Sequence, residues 1–237
     1  MKSNRKRLWL MVLLCLVLSV GISGVASAAT YRNQIVTKNG KQYYYNKSGK
    51  LVKGKYGYKI GKKYYKINKK GVLTKVSEME GLAGIQMNDW YGKSKAKVLW
   101  QAFQWSAKLP YDTNSTKVPS GLTKTEYFGQ YGFVRKRGDC NVQAATFYWM
   151  AKVLGYDVKF VQGYVGTKQN ASGKLTGFGA HAWTTIKIGK KLYVYDPNFS
   201  SYCTKHNIQK KMKSGYKITY GAKGTYRYCN SKKKELK

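Results

Sequence analysis

The helical period is clearest over residues 140–154. Apolar positions fall at Cys140, Ala144, Phe147, Tyr148, Ala151 and Leu154, Asp139 stands where an N-cap acceptor belongs, and Gly155 closes the run. A second helix is predicted over 96–107, where Ala96, Leu99, Trp100, Phe103 and Ala107 share a face and Leu109-Pro110 ends it. Residues 112–121, with Pro119, read as a polar loop, and 123–133 as a short helix or turn leading into a basic stretch. After Gly155 the period drops to two. Residues 158–165, 180–188 and 192–195 are predicted strands, and Gly189-Lys190 is the two-residue turn between the last two.

Upstream, the pattern is one of glycines punctuating tyrosine-rich runs. Gly40-Lys41-Gln42-Tyr43-Tyr44-Tyr45-Asn46 with Gly49 recurs as Gly61-Lys62-Lys63-Tyr64-Tyr65-Lys66-Ile67-Asn68 with Gly71, which predicts successive β-hairpins over 29–75. Residues 76–88, with Gly81 and Gly84, show no strong period and read as a linker. Residues 1–28 have a basic start (Lys2, Arg5, Lys6, Arg7), an apolar run from Leu8 to Val20 and the small-x-small site Ala26-Ser27-Ala28, the three parts of a secretory signal peptide. The domain plan is therefore a leader (1–28), hairpin repeats (29–75), a linker (76–88) and a main domain (89–237). No transmembrane segment is expected once the leader is cleaved.

Charge narrows the partners. The 237-residue chain has 45 Lys+Arg against 9 Asp+Glu, a net +36; four of the basic residues lie in the leader, so 41 remain after it, a net +32. An apolar fraction of 43%, with 15% aromatic residues, excludes wholesale disorder. The charge implies an anionic environment, with a cell-wall polymer, anionic lipid or nucleic acid as candidates. Export disfavours nucleic acid, and lysines spread singly make a diffuse attraction rather than a base-reading site. A solvated basic surface with no dedicated ligand is the plainer reading.

Beyond the leader three cysteines remain, Cys140, Cys203 and Cys229, and the histidines are His181 and His206. With no CxxC and only two histidines a structural zinc site lacks ligands, and no cofactor is expected. An odd number of cysteines in an exported chain suggests one pair and one free thiol. The pair expected is Cys203–Cys229, a staple for a glycine- and lysine-rich tail with little apolar surface to hold it down.

Cys140 is the thiol with chemistry. It falls in the first helical turn, where unpaired amides and the helix dipole favour a thiolate. With a two-residue turn at Gly189-Lys190, Ile188 pairs with Lys191. The same register sets His181 opposite Asn198 and Asp196 opposite Trp183, so His181 and Asp196 become diagonal neighbours on one face. A three-residue turn would separate them. Nucleophile, base and orienting carboxylate are the parts of thiol acyl transfer. The Cys140 amide is one oxyanion donor; Trp105, Tyr111 and Gln130 are candidates for the second. His206 reads as a surface histidine, Trp183 as packing beside the site, and Arg137-Gly138-Asp139 as the turn before the nucleophile.

These residues also resemble a family. Gly138-Asp139-Cys140 with Ala144, Leu154-Gly155-Tyr156, Val161-Gln162-Gly163-Tyr164, His181-Ala182-Trp183 and Tyr195-Asp196-Pro197 are similar to motifs of the transglutaminase-like superfamily, over roughly 96–199. The resemblance implies an α+β fold, a papain-like core with the catalytic helix packed on an antiparallel sheet, and a Cys140, His181, Asp196 triad. It also implies a thiol enzyme acting on peptide or carboxamide bonds of a protein or peptide substrate, by hydrolysis or by transfer to an amine. The hairpins resemble the glucan- and choline-binding wall repeats of Gram-positive bacteria. The Trp before each hairpin is absent, only two copies occur, and lysines would repel choline. What carries over is a secreted or cell-surface protein with wall-associating hairpins. The contrasting readings are a non-catalytic wall-associated scaffold and a charge-driven surface binder.

Overall fold

The computed structural model describes residues 31–113, 117–208, 212–232 and 234–237. The expected leader lies outside them. The chain divides into two compact units at Val52/Lys53.

Within the first unit, strands β1 (Gln34–Lys38) and β2 (Lys41–Tyr45) form an antiparallel hairpin. Its turn, Asn39-Gly40, has both residues at positive φ, 49° and 70°, the primed geometry that matches strand twist. In the second unit β3 (Lys55–Ile60), β4 (Lys63–Ile67) and β5 (Leu73–Val76) form a three-stranded antiparallel sheet. The repeat has a structural basis. Asn46 Oδ1 accepts the Ser48 and Lys50 amides, as Asn68 Oδ1 accepts those of Lys70 and Val72. Gly49 and Gly71 then donate back to the carbonyls of Asn46 and Asn68.

The stretch expected as a linker is instead a helix, α1 (Glu78–Gln86). Ser77 and Glu80 form a reciprocal capping box at its start. Its two glycines, which weakened the helical reading, are there for contact. A Cβ on Gly81 would sit 2.3 Å from the Tyr64 ring, and one on Gly84 2.4 Å from the Tyr56 backbone. The second hairpin sheet thus packs on α1, and Met79, Ala83 and Met87 enter the main core.

The remaining helices are α2 (Lys95–Ala107), α3 (Lys124–Arg135), α4 (Cys140–Val153) and α5 (Pro197–Lys205). The stretch that read as a short helix or turn is the full helix α3, with Thr123 and Glu126 as a second capping box. Strands β6 (Asp157–Gln169), β7 (Leu175–Ile188), β8 (Lys191–Tyr195), β9 (Tyr228–Ser231) and β10 (Lys234–Glu235) make an antiparallel sheet in the order β10-β9-β6-β7-β8. The core between α2, α4 and this sheet is aromatic: Phe103, Phe147 and Tyr195 are fully buried and meet ring to ring. The fold is α+β, helices on an antiparallel sheet, preceded by small β-hairpins.

The expected Cys203–Cys229 disulfide is absent; both thiols are free and buried. Cys203 lies on α5. Cys229 lies on β9 opposite Tyr164, with its Sγ on the Arg227 carbonyl at 3.6 Å. The premise of a loose tail fails, because β9 extends the sheet and Tyr228 is fully buried against Trp183 at 4.9 Å. Apolar burial holds this segment without a staple.

Candidate active site

Asp139 caps α4, its Oδ1 accepting the amides of Asn141 (2.9 Å) and Val142 (3.1 Å). Those are the second and third amides of the helix, so the cap does not engage the Cys140 N–H, the first of the helix, and the thiol is half-buried. Asp139 is only 5% exposed, and Arg137 pairs with Asp112 at 3.0 Å. The Arg137-Gly138-Asp139 tripeptide is thus committed to structure. On the sheet side, Thr184 Oγ1 donates to the Ala144 carbonyl at 3.1 Å and Gln143 Nε2 to that of Leu109 at 2.9 Å, fixing α4 in place.

The β7–β8 register is the one the two-residue turn predicts, Ile188↔Lys191 through Thr184↔Tyr195. It stops there. Asp196 is the N-cap of α5, with Pro197 as its first residue, so the strand turns into a helix before Asn198 can face His181. Asn198 instead donates to Gln143 Oε1 at 2.8 Å. His181 and Asp196 still meet, His181 Nε2 lying 2.7 Å from Asp196 Oδ2. Cys140 and His181 line one cavity, and Cys140 acts on the imidazole through charge and hydrogen bonding. The structure therefore brings Cys140, His181 and Asp196 together.

Burial alone would lower the His181 pKa. The Asp196 carboxylate, through charge and hydrogen bond, and Cys140 behind it outweigh that and push it up to about 10. The imidazolium is thus held at neutral pH, facing the thiol.

The carboxylate is held in turn. Asp196 Oδ1 accepts the Phe199 amide at 2.9 Å, and Oδ2 accepts both His181 and the Tyr228 hydroxyl, the latter at 2.9 Å. Asp196 is fully buried. Burial, together with this carboxylate, raises the Tyr228 pKa well above its usual value, which keeps the phenol a donor. Tyr226 packs edge-on to His181 at 5.4 Å. Neither tyrosine was among the sequence candidates, since nothing in a lysine-rich tail announces a strand that returns to the site. Trp183 does pack beside the site, stacked on His181 at 6.2 Å with its Nε1 on Tyr220. His206 is exposed at the end of α5, against the Tyr202 ring.

A cavity of about 450 Å³ opens over Cys140 and His181, lined also by Tyr111, Gln162, Tyr164 and Asn230. Of the three candidates for a second oxyanion donor, Tyr111 lines it. Trp105 stacks on Phe133, and Gln130 lines a different cavity beside Ser77. Burial, with the charges of Cys140 and Asp139 behind it, raises the Tyr111 pKa. Gln162 joins Asn141 at 2.6 Å and accepts from Lys124 at 2.6 Å, making a polar lip at the cavity mouth. Among the described residues no three His, Cys, Asp or Glu side chains converge as metal ligands do.

Among solved structures the chain is similar to an arylamine N-acetyltransferase from Bacillus cereus with a unique Cys-His-Glu catalytic triad. Identity is 20% and the TM-score 0.37, over 54% of this chain and 51% of that one, about half the length of the enzyme. No curated protein matches the sequence. The match that bears on the site is to a family model: residues 87–197, which hold Cys140, His181 and Asp196, are similar to the core of the transglutaminase-like superfamily.

Proposed function

We propose that the protein is a thiol enzyme that cleaves or transfers carboxamide acyl groups through Cys140. One observation carries the reading: a cysteine at a helix start faces a histidine whose far nitrogen lies 2.7 Å from a buried carboxylate. With the proton already on His181, the Cys140 sulfur attacks the carbonyl carbon as the thiolate of the ion pair. The oxyanion is met by the Cys140 N–H and by the Tyr111 phenol. When the C–N bond breaks, the leaving amine takes the proton from His181, and a thioester remains. Water or a second amine then gives its proton to His181, displaces the thiolate and releases acid or new amide. Asp196 keeps the imidazole in the required orientation throughout.

Casein incubated with a tagged primary amine tests this, comparing wild type with Cys140→Ala. Tag incorporation lost in the variant identifies a transferase, and peptide release lost in the variant a hydrolase. The absence of both in wild type would favour the wall-associated scaffold.

The proposal extends to location. The leader-like start and the net +32 that remains after it support an exported protein held near an anionic cell-wall polymer. The tyrosine- and lysine-bearing first hairpin is the wall-associating part in this reading. A chain beginning at Lys53 is expected to be retained on isolated walls less than the full chain, and the difference should shrink as salt rises. Equal retention at every salt concentration would make the hairpin a spacer.

A further inference from the structure

A second cavity, about 470 Å³, lies on the sheet face that supplies Gln162, Tyr164 and Ala180 to the cavity over Cys140, which Gly163 and His181 line from the other face. The strand registers establish the continuity. Tyr164 is opposite Ala180 on β7 and Cys229 on β9, and Gly166 is opposite Phe178. Residues opposite one another share a face, and so do residues two apart on one strand. Gln162, Tyr164, Ala180, Phe178 and Cys229 therefore lie on one surface. The first three line the Cys140 cavity and the last two line the second. Helix α4 covers this face at Phe160, which packs with Val142 and Ala145. One same-face step, about 7 Å, separates Ala180 from Phe178, which is also the repeat of an extended peptide.

The second cavity has a mixed lining. Leu175 and Phe178, both half-buried, give it apolar surface. Arg227 and Glu235 also line it, but they cancel: Nε and Nη2 of the guanidinium meet both carboxylate oxygens, at 2.9 and 2.5 Å, and Nη1 donates to the Gly173 carbonyl. What is left uncompensated is Lys174 and Lys232, neither of which pairs with a carboxylate among the described residues. Lys232 Nζ lies 5.7 Å from the Tyr164 ring centroid, over the residue that also lines the catalytic cavity.

We infer, resting on Cys140 as the nucleophile proposed above, that this cavity is a substrate subsite. It takes an apolar side chain next to a carboxylate, on a peptide segment whose carboxamide reaches Cys140. Apolar contact with Leu175 and Phe178 seats the side chain, and Lys174 and Lys232 select the acid. Acidic peptide segments are thus preferred over basic ones.

Binding tests this without relying on the thiol's chemistry. Fluorescence anisotropy of the full chain is measured with a labelled peptide Gly-Leu-Asp-Gln-Asp-Leu-Gly and with its counterpart carrying Lys for each Asp. The acidic peptide is expected to bind about tenfold more tightly at moderate salt. Lys174→Glu with Lys232→Glu should abolish or invert that preference, and Lys174→Arg with Lys232→Arg should keep it. Lys190→Glu with Lys191→Glu, at the opposite end of β7, makes the same change in net charge and should leave the preference nearly intact. Equal loss in the two Glu pairs would assign the preference to the overall field, and an absent preference in wild type would also overturn the subsite. Failure of Cys140 to alkylate or turn over substrate, with the charge preference intact, would instead count against the proposed chemistry.

Discussion

Alanine in place of His181 is expected to slow alkylation of Cys140 by iodoacetamide about tenfold or more at pH 6.5. A thiol with the ordinary value of about 8.5 is only about 1% thiolate at that pH, and the lower nucleophilicity of an ion-paired thiolate offsets part of the difference. The wild-type site holds its imidazolium because Asp196 and Cys140 outweigh the effect of burial, with the His181 pKa pushed up to about 10. The wild type should therefore keep its advantage through neutral pH, and the two rates should converge as pH rises through about 10 and the imidazolium is lost. A raised pKa means the folded state binds the proton more tightly than the unfolded chain. The His181–Asp196 contribution is thus complete below about 6.5 and is lost as pH rises through about 10. Mass-spectrometric counting of alkylated Cys140 across pH reads the rate directly. Superimposable profiles for wild type and His181→Ala would sink the ion pair.

The second large effect is expected far from the thiol. Gly57→Ala should destabilise the full chain by about 3 kcal/mol, the upper range for overpacking a close-packed contact. A Cβ there would sit 2.3 Å from the Gly81 carbonyl oxygen and 2.5 Å from the Ile85 nitrogen, both backbone atoms that no rotamer change can move. The neighbourhood is further tied by Asn88, whose Oδ1 accepts the Tyr56 amide at 2.9 Å and whose Nδ2 donates to the Gly57 carbonyl at 2.8 Å. Urea unfolding would measure the loss, and a change within about 0.5 kcal/mol, the range of an ordinary surface substitution, would show that α1 gives way easily. For the same reason, a chain starting at Ser77 should lose stability along with the second hairpin. Trimming for function belongs at the Val52/Lys53 boundary.

What could be read in advance was local. Asp139 before an apolar helical period, Gly155 after it, and a glycine turn between two alternating runs each act within a few residues, so their outcome is encoded where they stand. The β7–β8 register followed from the turn alone as far as Thr184↔Tyr195; beyond it His181 meets Asp196 through the helix cap that follows and not through the strand pairing the turn implied. The linker reading of 76–88 failed because Gly81 and Gly84 lower helix propensity, and the compensating contact with Tyr56 and Tyr64 comes from another sheet.

The sequence by itself determined the helix that starts at Cys140, the strand that bears His181 and the turn register that runs up to the Asp196 carboxylate, because capping, periodicity and turn geometry are short-range. Tertiary structure alone decided which groups surround that carboxylate. Asp196 became a helix cap, not a strand residue, and Tyr228 returned from the last strands to share its Oδ2 with His181. It also decided that Cys203 and Cys229 remain apart, since β9 is held by sheet pairing and aromatic burial. Such contacts close loops of thirty residues or more, and their free energy comes from surface buried between distant segments, which no local pattern records.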